Sequence, residues 1–256
     1  MLSILPDIIK TYPSITLEEM DNVKLMNRTD TKFTFHISQL EQILNLIIDN
    51  YRILEINGKR VSNYKTLYYD TTDLELYYKH HSGKLNRYKV RHRTYVDSNL
   101  GYLEVKFKNN KGRTLKERIK KKDVLFEWPE DARQFLSDKT PYSPSTLIPT
   151  LWVNYSRITL VNKKSKERLT IDVNLEFKKD TFEKKLPQMV IAEVKQEKAQ
   201  SSPFIYVMKK LHIREGAISK YCLAVAYTNP DAKINRFKEK LLSIQKIINY
   251  VSTPSC

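Results

Sequence analysis

RYKVRHRTYVDSNLGYLEVKFKNNKGRTLKER, residues 87–118, contains three short runs in which charge falls at every second position. In the first, Arg87, Lys89, Arg91 and Arg93 share one parity, while Tyr88, Val90, His92 and Thr94 take the other. In the second, Glu104, Lys106 and Lys108 alternate with Leu103, Val105 and Phe107. In the third, Lys116, Arg118 and Lys120 alternate with Leu115, Glu117 and Ile119. A strand points successive side chains to opposite faces. Three such strands side by side present a cationic sheet face with a single interleaved carboxylate. Like charges on neighbouring strands repel, and the question is whether this face looks at bulk water or at a ligand.

The same alternation continues outward. NRTDTKFTFHI sets Arg28, Asp30, Lys32, Thr34 and His36 against Phe33, Phe35 and Ile37, a first strand. Ser38 followed by Glu41 reads as a capping box opening a helix with Leu40, Ile43, Leu44, Ile47 and Ile48 on one stripe. A strand is expected at Tyr64–Asp70 and a short helix from Asp73 through Tyr78. Residues 123–150 carry four prolines and fit a short helix at Glu130–Leu136 inside a connection. LWVNYSRITLV, from Leu151, places Asn154, Ser156 and Ile158 opposite Tyr155, Arg157 and Thr159. RLTIDVNLEF places Leu169, Ile171, Val173 and Leu175 opposite Arg168, Thr170, Asp172 and Asn174. Basic residues 163–168 form the turn between these two strands. QMVIAEVKQEK puts Glu193 and Lys195 on one face. A helix over 203–212 starts at Pro203. CLAVAY, after Ser219-Lys220-Tyr221, reads as a last short strand, and 231–250 as a basic amphipathic helix. Eight or nine mostly consecutive strands with helices at the beginning, middle and end make an α+β chain with an antiparallel sheet.

Composition narrows the class. The chain has 256 residues, 41% hydrophobic and 29% charged, enough for a core, with a net charge of +16 that attracts polyanions. Cys222 and Cys256 do not suggest a disulfide framework. No targeting segment or apolar run of membrane-spanning length is seen, so a cytoplasmic protein is expected. The five glycines fall in no phosphate-cradling loop motif. A solvated sheet face explains most alternating strands. Here, however, the polar faces are mostly cationic and recur on nearly every strand. If the sheet closes into a barrel of about eight strands, these faces line one lumen able to hold a ligand. Arginine binds phosphate bidentately and lysine as a point charge, and a carboxylate among them suits a hard divalent cation.

E-V-K at 104–106 and 193–195, the R-x-R-x-Y of Arg91, Arg93 and Tyr95, the K-x-R of Lys116 and Arg118, and S-K-Y at 219–221 together resemble the catalytic domain of the vacuolar transporter chaperone (VTC) family. These are the polyphosphate polymerases within the triphosphate tunnel metalloenzymes, the CYTH superfamily. The resemblance runs from about Arg28 to Tyr227. It implies one domain over 1–256, with its core at about 28–227 and a C-terminal helix at 231–250. The implied fold is α+β, a closed antiparallel eight-stranded β-barrel, the triphosphate tunnel, with helices packed outside. It further implies Lys32, Arg91, Arg93, Lys106 and Lys220 as catalytic residues. Arg28, Lys89, Arg118, Arg157 and Arg168 are implied in substrate binding, and Glu193 with Glu104 in holding Mn2+ or Mg2+. The superfamily's E-x-E-x-K is replaced by Arg28-x-Asp30-x-Lys32, which favours the polymerase branch. The sensing domain and membrane segments of eukaryotic members have no counterpart here, as expected of a free-standing version.

The leading expectation is transfer of the γ-phosphoryl group of ATP to a growing polyphosphate chain. The expected ligands are a nucleoside triphosphate, inorganic triphosphate or polyphosphate. Hydrolysis of inorganic or nucleoside triphosphate in the same tunnel is a rival, since both reactions need the same clamp. A non-catalytic module binding nucleic acid or polyphosphate is another. Nucleic acid is not the expected partner, because it gives no reason for Glu104, Asp172 and Glu193 among the cations. Asp172 reads equally as a second metal ligand or a partner for Arg168, and Glu104 as a metal contact or a salt bridge to a lumen lysine. His80, His81 and His92 read as packing or surface residues. Lys233, Arg236, Lys238, Lys240 and Lys246 make the C-terminal helix basic, leaving contact with a membrane surface open.

Overall fold

The computed structural model describes residues 5–21, 29–197 and 200–250. In chain order the elements are α1 (Leu5–Lys10), β1 (Ser14–Ile15), α2 (Leu17–Asp21), β2 (Thr29–His36), α3 (Leu40–Ile47), β3 (Tyr51–Leu54), β4 (Ser62–Asp70), α4 (Glu75–His81), β5 (Arg87–Tyr95), β6 (Leu100–Lys108), β7 (Thr114–Lys120), α5 (Glu130–Lys139), β8 (Ile148–Asn162), β9 (Glu167–Lys179), β10 (Phe182–Leu186), β11 (Met189–Gln196), α6 (Pro203–Lys210), α7 (Lys220–Thr228) and α8 (Lys238–Ile248). The architecture is α+β, with a large antiparallel sheet and helices.

Eight strands form the main path, in the order β2-β11-β9-β8-β4-β5-β6-β7. The short strands β3 and β10 attach to β8 and β9, and β1 pairs in parallel with β3. Among the described residues the path begins at β2 and ends at β7 without a ladder between them. Closure of the barrel by hydrogen bonding is therefore absent from the described sheet. The sheet nevertheless curls. The Lys32 ammonium of β2 donates to the Ile218 carbonyl (3.3 Å) and the Lys89 ammonium of β5 donates to Ser219 Oγ (2.7 Å). Two strands far apart along the path thus reach consecutive residues.

The alternation assigns the two faces. Phe33 and Phe35 of β2, Ile158 and Leu160 of β8, and Ile171 and Val194 pack with Ile43, Leu44 and Ile47 of α3 and Phe204 and Met208 of α6. Val90, Leu103 and Val105 pack under Phe135 and Leu136 of α5. These apolar layers cover the convex face. The opposite parity forms a concave trough.

Four details differ from the sequence expectation. CLAVAY is not a strand: it lies in α7, whose Ser219 side chain accepts from the Cys222 amide (3.3 Å) as an N-cap. A short apolar run is ambiguous in period, and α7 is buried nearly all round, so no amphipathic stripe marks it. Nor is α7 outside the sheet. It packs with Leu151, Val153 and Tyr155 of β8, Leu175 and Phe177 of β9, and Met189 and Ile191 of β11, filling one end of the trough. Third, Leu175 does not share the face of Leu169, Ile171 and Val173. Asn174 adopts a left-handed backbone (φ 54°) where the β8–β9 register shifts. A bulge of this kind reverses the parity beyond it, sending Leu175 and Phe177 to the concave side. Fourth, the cap before α3 is formed by His36 and Gln39, which satisfy the Ser38 and His36 amides, not by Ser38 and Glu41. The helix over 231–250 narrows to α8 behind a short 3-10 turn at Asn235–Phe237. No helix among the described residues is long and apolar enough to cross a membrane.

Candidate active site

The trough floor is built by strand pairing. Registers Glu193↔Lys32, Glu193↔Thr170, Arg157↔Asp172, Lys89↔Lys106, Arg91↔Glu104 and Lys106↔Lys116 place these side chains on one face of adjacent strands. Helix α7 adds Lys220 at its first turn.

Three carboxylates organise the cations. Glu104, with its side chain 1% exposed, accepts from Arg91 Nε and Nη2 (both 2.8 Å) and from the Lys116 ammonium, with Arg93 Nη1 at 3.9 Å. Asp172, with its side chain 3% exposed, takes a bidentate pair from Arg157 (2.6 and 2.8 Å) and the Lys220 ammonium. Glu193 faces Lys32 (3.6 Å) and Lys195, and is more open at 18%. Lys195 also donates to Thr170 Oγ1 (3.2 Å). Burial by itself would raise all three carboxyl groups. The cations outweigh it, holding Glu104, Asp172 and Glu193 well below the usual carboxylate range.

The cations are not all neutralised. Burial, reinforced by neighbouring positive charges, pushes Lys89, Lys106, Lys116 and Lys195 down to about 8. Lys106 makes no hydrogen bond or ion pair among the described residues; Lys89, Arg91 and Lys32 repel it, and Glu193 attracts it more weakly. The Nε of Arg93, a residue 8% exposed, is buried without a hydrogen-bond partner among the described residues. Tyrosine rings steady the arginines instead: Arg93 lies over Tyr64 (5.6 Å) and Arg157 over Tyr64 and Tyr155 (both 5.2 Å). An unpaired, desolvated cation is costly, so the charge of the trough suits an anion.

The lysine shifts give a pH prediction. A lysine depressed to about 8 in the folded state and ordinary when unfolded lets the unfolded chain bind more protons across that interval. Stability then rises with pH between about 8 and 10.5, and the penalty is complete below about 8. A bound polyanion reverses the depression. Binding of inorganic triphosphate at pH 8.5 is therefore expected to take up protons. Calorimetry in two buffers of different ionisation enthalpy measures this, and equal heats in both would refute it.

The trough brings together Lys32, Lys89, Arg91, Arg93, Glu104, Lys106, Arg157, Glu193 and Lys220. Arg118, on the exposed strand β7, stands at its rim over the Tyr102 ring (4.4 Å). Arg168 pairs in register with Lys195, and its Nη1 lies 3.9 Å from Met20 Sδ. Arg28 lies outside the described residues. Asp172 is engaged by Arg157 and Lys220, one strand and one helix away, in place of the Arg168 pairing considered from sequence. The histidines do not form a ligand cluster: His92 Nε2 bonds the Lys121 carbonyl (2.8 Å) and burial holds His80 low, at about 2.

Lys116 and Lys195 are trough residues missing from the candidate set. Their parity with Arg118 and Glu193 was the available signal. Asp70 was also missed. It is fully buried, and accepts from the Leu76 and Tyr77 amides (2.8 and 2.9 Å) and from the Tyr221 hydroxyl, tying α7 to β4 and α4. No periodicity marks such a pin.

Among the described residues no three His, Cys, Asp or Glu side chains gather as a metal cage. The donor set does suit an ion that takes one or two carboxylates and completes its shell with phosphate oxygens and water, as Mg2+ does. Glu193 fits that role by its partial exposure beside the uncommitted Lys106. Glu104 is enclosed by three cations.

The family model of the VTC domain matches residues 27–229. No match is found among curated proteins. Among solved structures, the chain is similar to PH1819 of Pyrococcus horikoshii OT3, at 10% identity, covering 77% of this chain and 96% of that one, with a TM-score of 0.43. It is similar to an adenylate cyclase candidate of Bacillus halodurans, at 16% identity, 83% and 100% coverage and a TM-score of 0.45. A third similar structure is the adenylyl cyclase candidate HpAC1 of Hippeastrum, described as having a dominant triphosphatase activity, at 12% identity, 78% and 96% coverage and a TM-score of 0.46.

Proposed function

The chain belongs to the VTC domain family, and from that premise we propose that it is a metal-dependent polyphosphate polymerase, transferring the γ-phosphoryl group of ATP to a polyphosphate end. The observation that carries this reading is the excess of positive charge, mostly half-buried, on one concave face. Glu104, Asp172 and Glu193 are already engaged by cations, Asp30 stands in register with Lys195, and Lys106 has no ion pair among the described residues. A linear polyphosphate supplies repeated negative charge along such a trough. We further propose that the trough works as a tunnel, its walls meeting across the β2 and β7 edges around the bound chain.

Arg93 and Arg157, held by tyrosine faces, clamp the non-transferred phosphates. Arg91 does so while anchored to Glu104. Lys32, Lys106 and Lys220 lie where charge builds up on the entering and leaving oxygens. A terminal oxygen of the acceptor phosphate attacks the γ-phosphorus and forms the new P–O bond. The bond from phosphorus to the β,γ-bridging oxygen breaks, and ADP leaves with the electron pair. Glu193 would hold Mn2+ or Mg2+, which when bound supplies neutralising charge at the phosphate oxygens. Glu104 is assigned to holding the arginines.

Transfer to phosphate is preferred to hydrolysis because its acceptor needs no general base. A good general base has a pKa near the working pH; Glu104, Asp172 and Glu193 are held far below it, and the lysines near 8 are assigned to charge neutralisation. A terminal phosphate is already ionised and needs no base. Purified protein with ATP and Mn2+ is expected to form acid-insoluble polyphosphate, and Glu193→Gln to lower the rate about 100-fold. Orthophosphate release without polymer would establish the hydrolase, and no turnover with an unchanged thermal midpoint on adding triphosphate would overturn both.

A further inference from the structure

A row of aromatic residues leads along the trough away from α7. Tyr155, which packs with α7, stacks on Tyr64 (5.1 Å, 6°). Tyr64 packs against Tyr95 (5.0 Å), which meets Tyr102 edge to face (5.9 Å, 83°). Tyr95 and Tyr102 are half-buried, whereas Tyr155 is buried. They share the strand parity of Arg91, Arg93 and Glu104, so they line the same concave face. Arg118 lies exposed over Tyr102 at 4.4 Å. Its cross-strand neighbour is Glu104, but the oxygens of Glu104 are taken by Arg91 and Lys116. Arg118 is therefore presented as a flat cation on an aromatic ring.

We infer that Tyr95, Tyr102 and Arg118 form a shelf on which the nucleobase of the phosphoryl donor stacks; this rests on the reading of the trough as a nucleoside triphosphate site. Helix α7 fills one end of the trough against β8, β9 and β11, so a nucleoside carried by phosphates bound at Arg91 and Arg93 extends away from it, towards Tyr95 and Tyr102. Tyr95 lies four residues beyond Arg91, about 13 Å along the strand, a span on the scale of ribose plus base. Planar guanidinium and phenol faces both stack on a base, and this recognition tolerates any base because every base has a π-face. The shelf thus distinguishes a nucleoside triphosphate from bare triphosphate without selecting adenine.

The test compares the affinities of ATP and inorganic triphosphate, each with Mg2+, for the full chain and for Tyr102→Leu and Tyr95→Leu. The two positions are read independently, in case one variant folds poorly, and Tyr102→Phe serves as the ring-retaining control. The leucine variants are expected to weaken ATP about fivefold or more and to leave triphosphate within about twofold, while Tyr102→Phe keeps both affinities. Equal weakening of both ligands, or unchanged ATP affinity in variants that still bind triphosphate, overturns the shelf and leaves the trough's role intact. Failure of the unaltered chain to bind either ligand overturns the shelf together with the function it rests on.

Discussion

Replacing Glu104 with alanine is expected to lower stability by about 3–5 kcal/mol, the usual cost of removing one partner of a buried ion pair. Its carboxylate is 1% exposed and serves Arg91, Lys116 and, more distantly, Arg93. Without it, three cations remain on one patch of β5, β6 and β7 with no local anion. Two consequences separate this from ordinary loss of packing. Saturating inorganic triphosphate should restore part of the lost stability, because the ligand replaces the missing negative charge. Stability of the unaltered protein should also fall as pH drops below the ordinary carboxylate range. Glu104, Asp172 and Glu193 have folded-state values below their unfolded ones, so their contribution is complete above the unfolded value and is lost as pH falls through the folded one. Urea melts with and without triphosphate measure the first effect. A loss under about 1 kcal/mol would show that the arginines and lysines do not depend on this carboxylate.

Lys106 sits two residues along the same strand, and its replacement is expected to act in the opposite sense. Lys106→Met keeps most of the stem and removes a charge that no carboxylate pairs. The thermal midpoint should rise by about 2–4 °C, the shift that about 1 kcal/mol produces in a domain of this size. Turnover should fall about 100-fold, the cost of losing one preorganised group at developing charge. Opposed signs on stability and rate are what a residue kept for its ligand gives, since its unpaired charge strains the free protein. A lower thermal midpoint at unchanged turnover would instead make Lys106 a structural residue. Together Glu104 and Lys106 separate the charges that hold the trough from those that serve what it binds.

The trough was legible in the sequence wherever alternation was unbroken. Arg91, Arg93, Glu104 and Lys106 lie on one face because the period of two runs uninterrupted through β5 and β6. The same pattern put Lys32, Arg157 and Glu193 on polar strand faces, and the family resemblance made them site candidates. It failed at Asn174, where a left-handed residue at a bulge reverses the parity of β9. It also failed at CLAVAY, where burial on all sides removes the amphipathic signal that distinguishes helix from strand. Asp172 shows a third kind of failure. Its position on the polar face was readable, but its partners come from β8 and from the first turn of α7, and both of those contacts are long-range.

Local residue order therefore determined which side chains are polar, which are apolar, and which share a strand face, because backbone pleat depends only on neighbours in the chain. It was enough for a basic face and the antiparallel sheet, while the candidate residues came from the family resemblance of the motifs on that face. Tertiary structure decided how that face is used. Curling of the sheet brings Lys32 of β2 and Lys89 of β5 to adjacent residues of the segment leading into α7. Packing of α7 inside the trough makes one end apolar and leaves Tyr95 and Tyr102 away from it. Which carboxylate is sealed by cations and which stays partly open, Glu104 or Glu193, follows from the same three-dimensional placement. Both sit in the identical tripeptide E-V-K, and only the strands packed around each one give it a different charge environment.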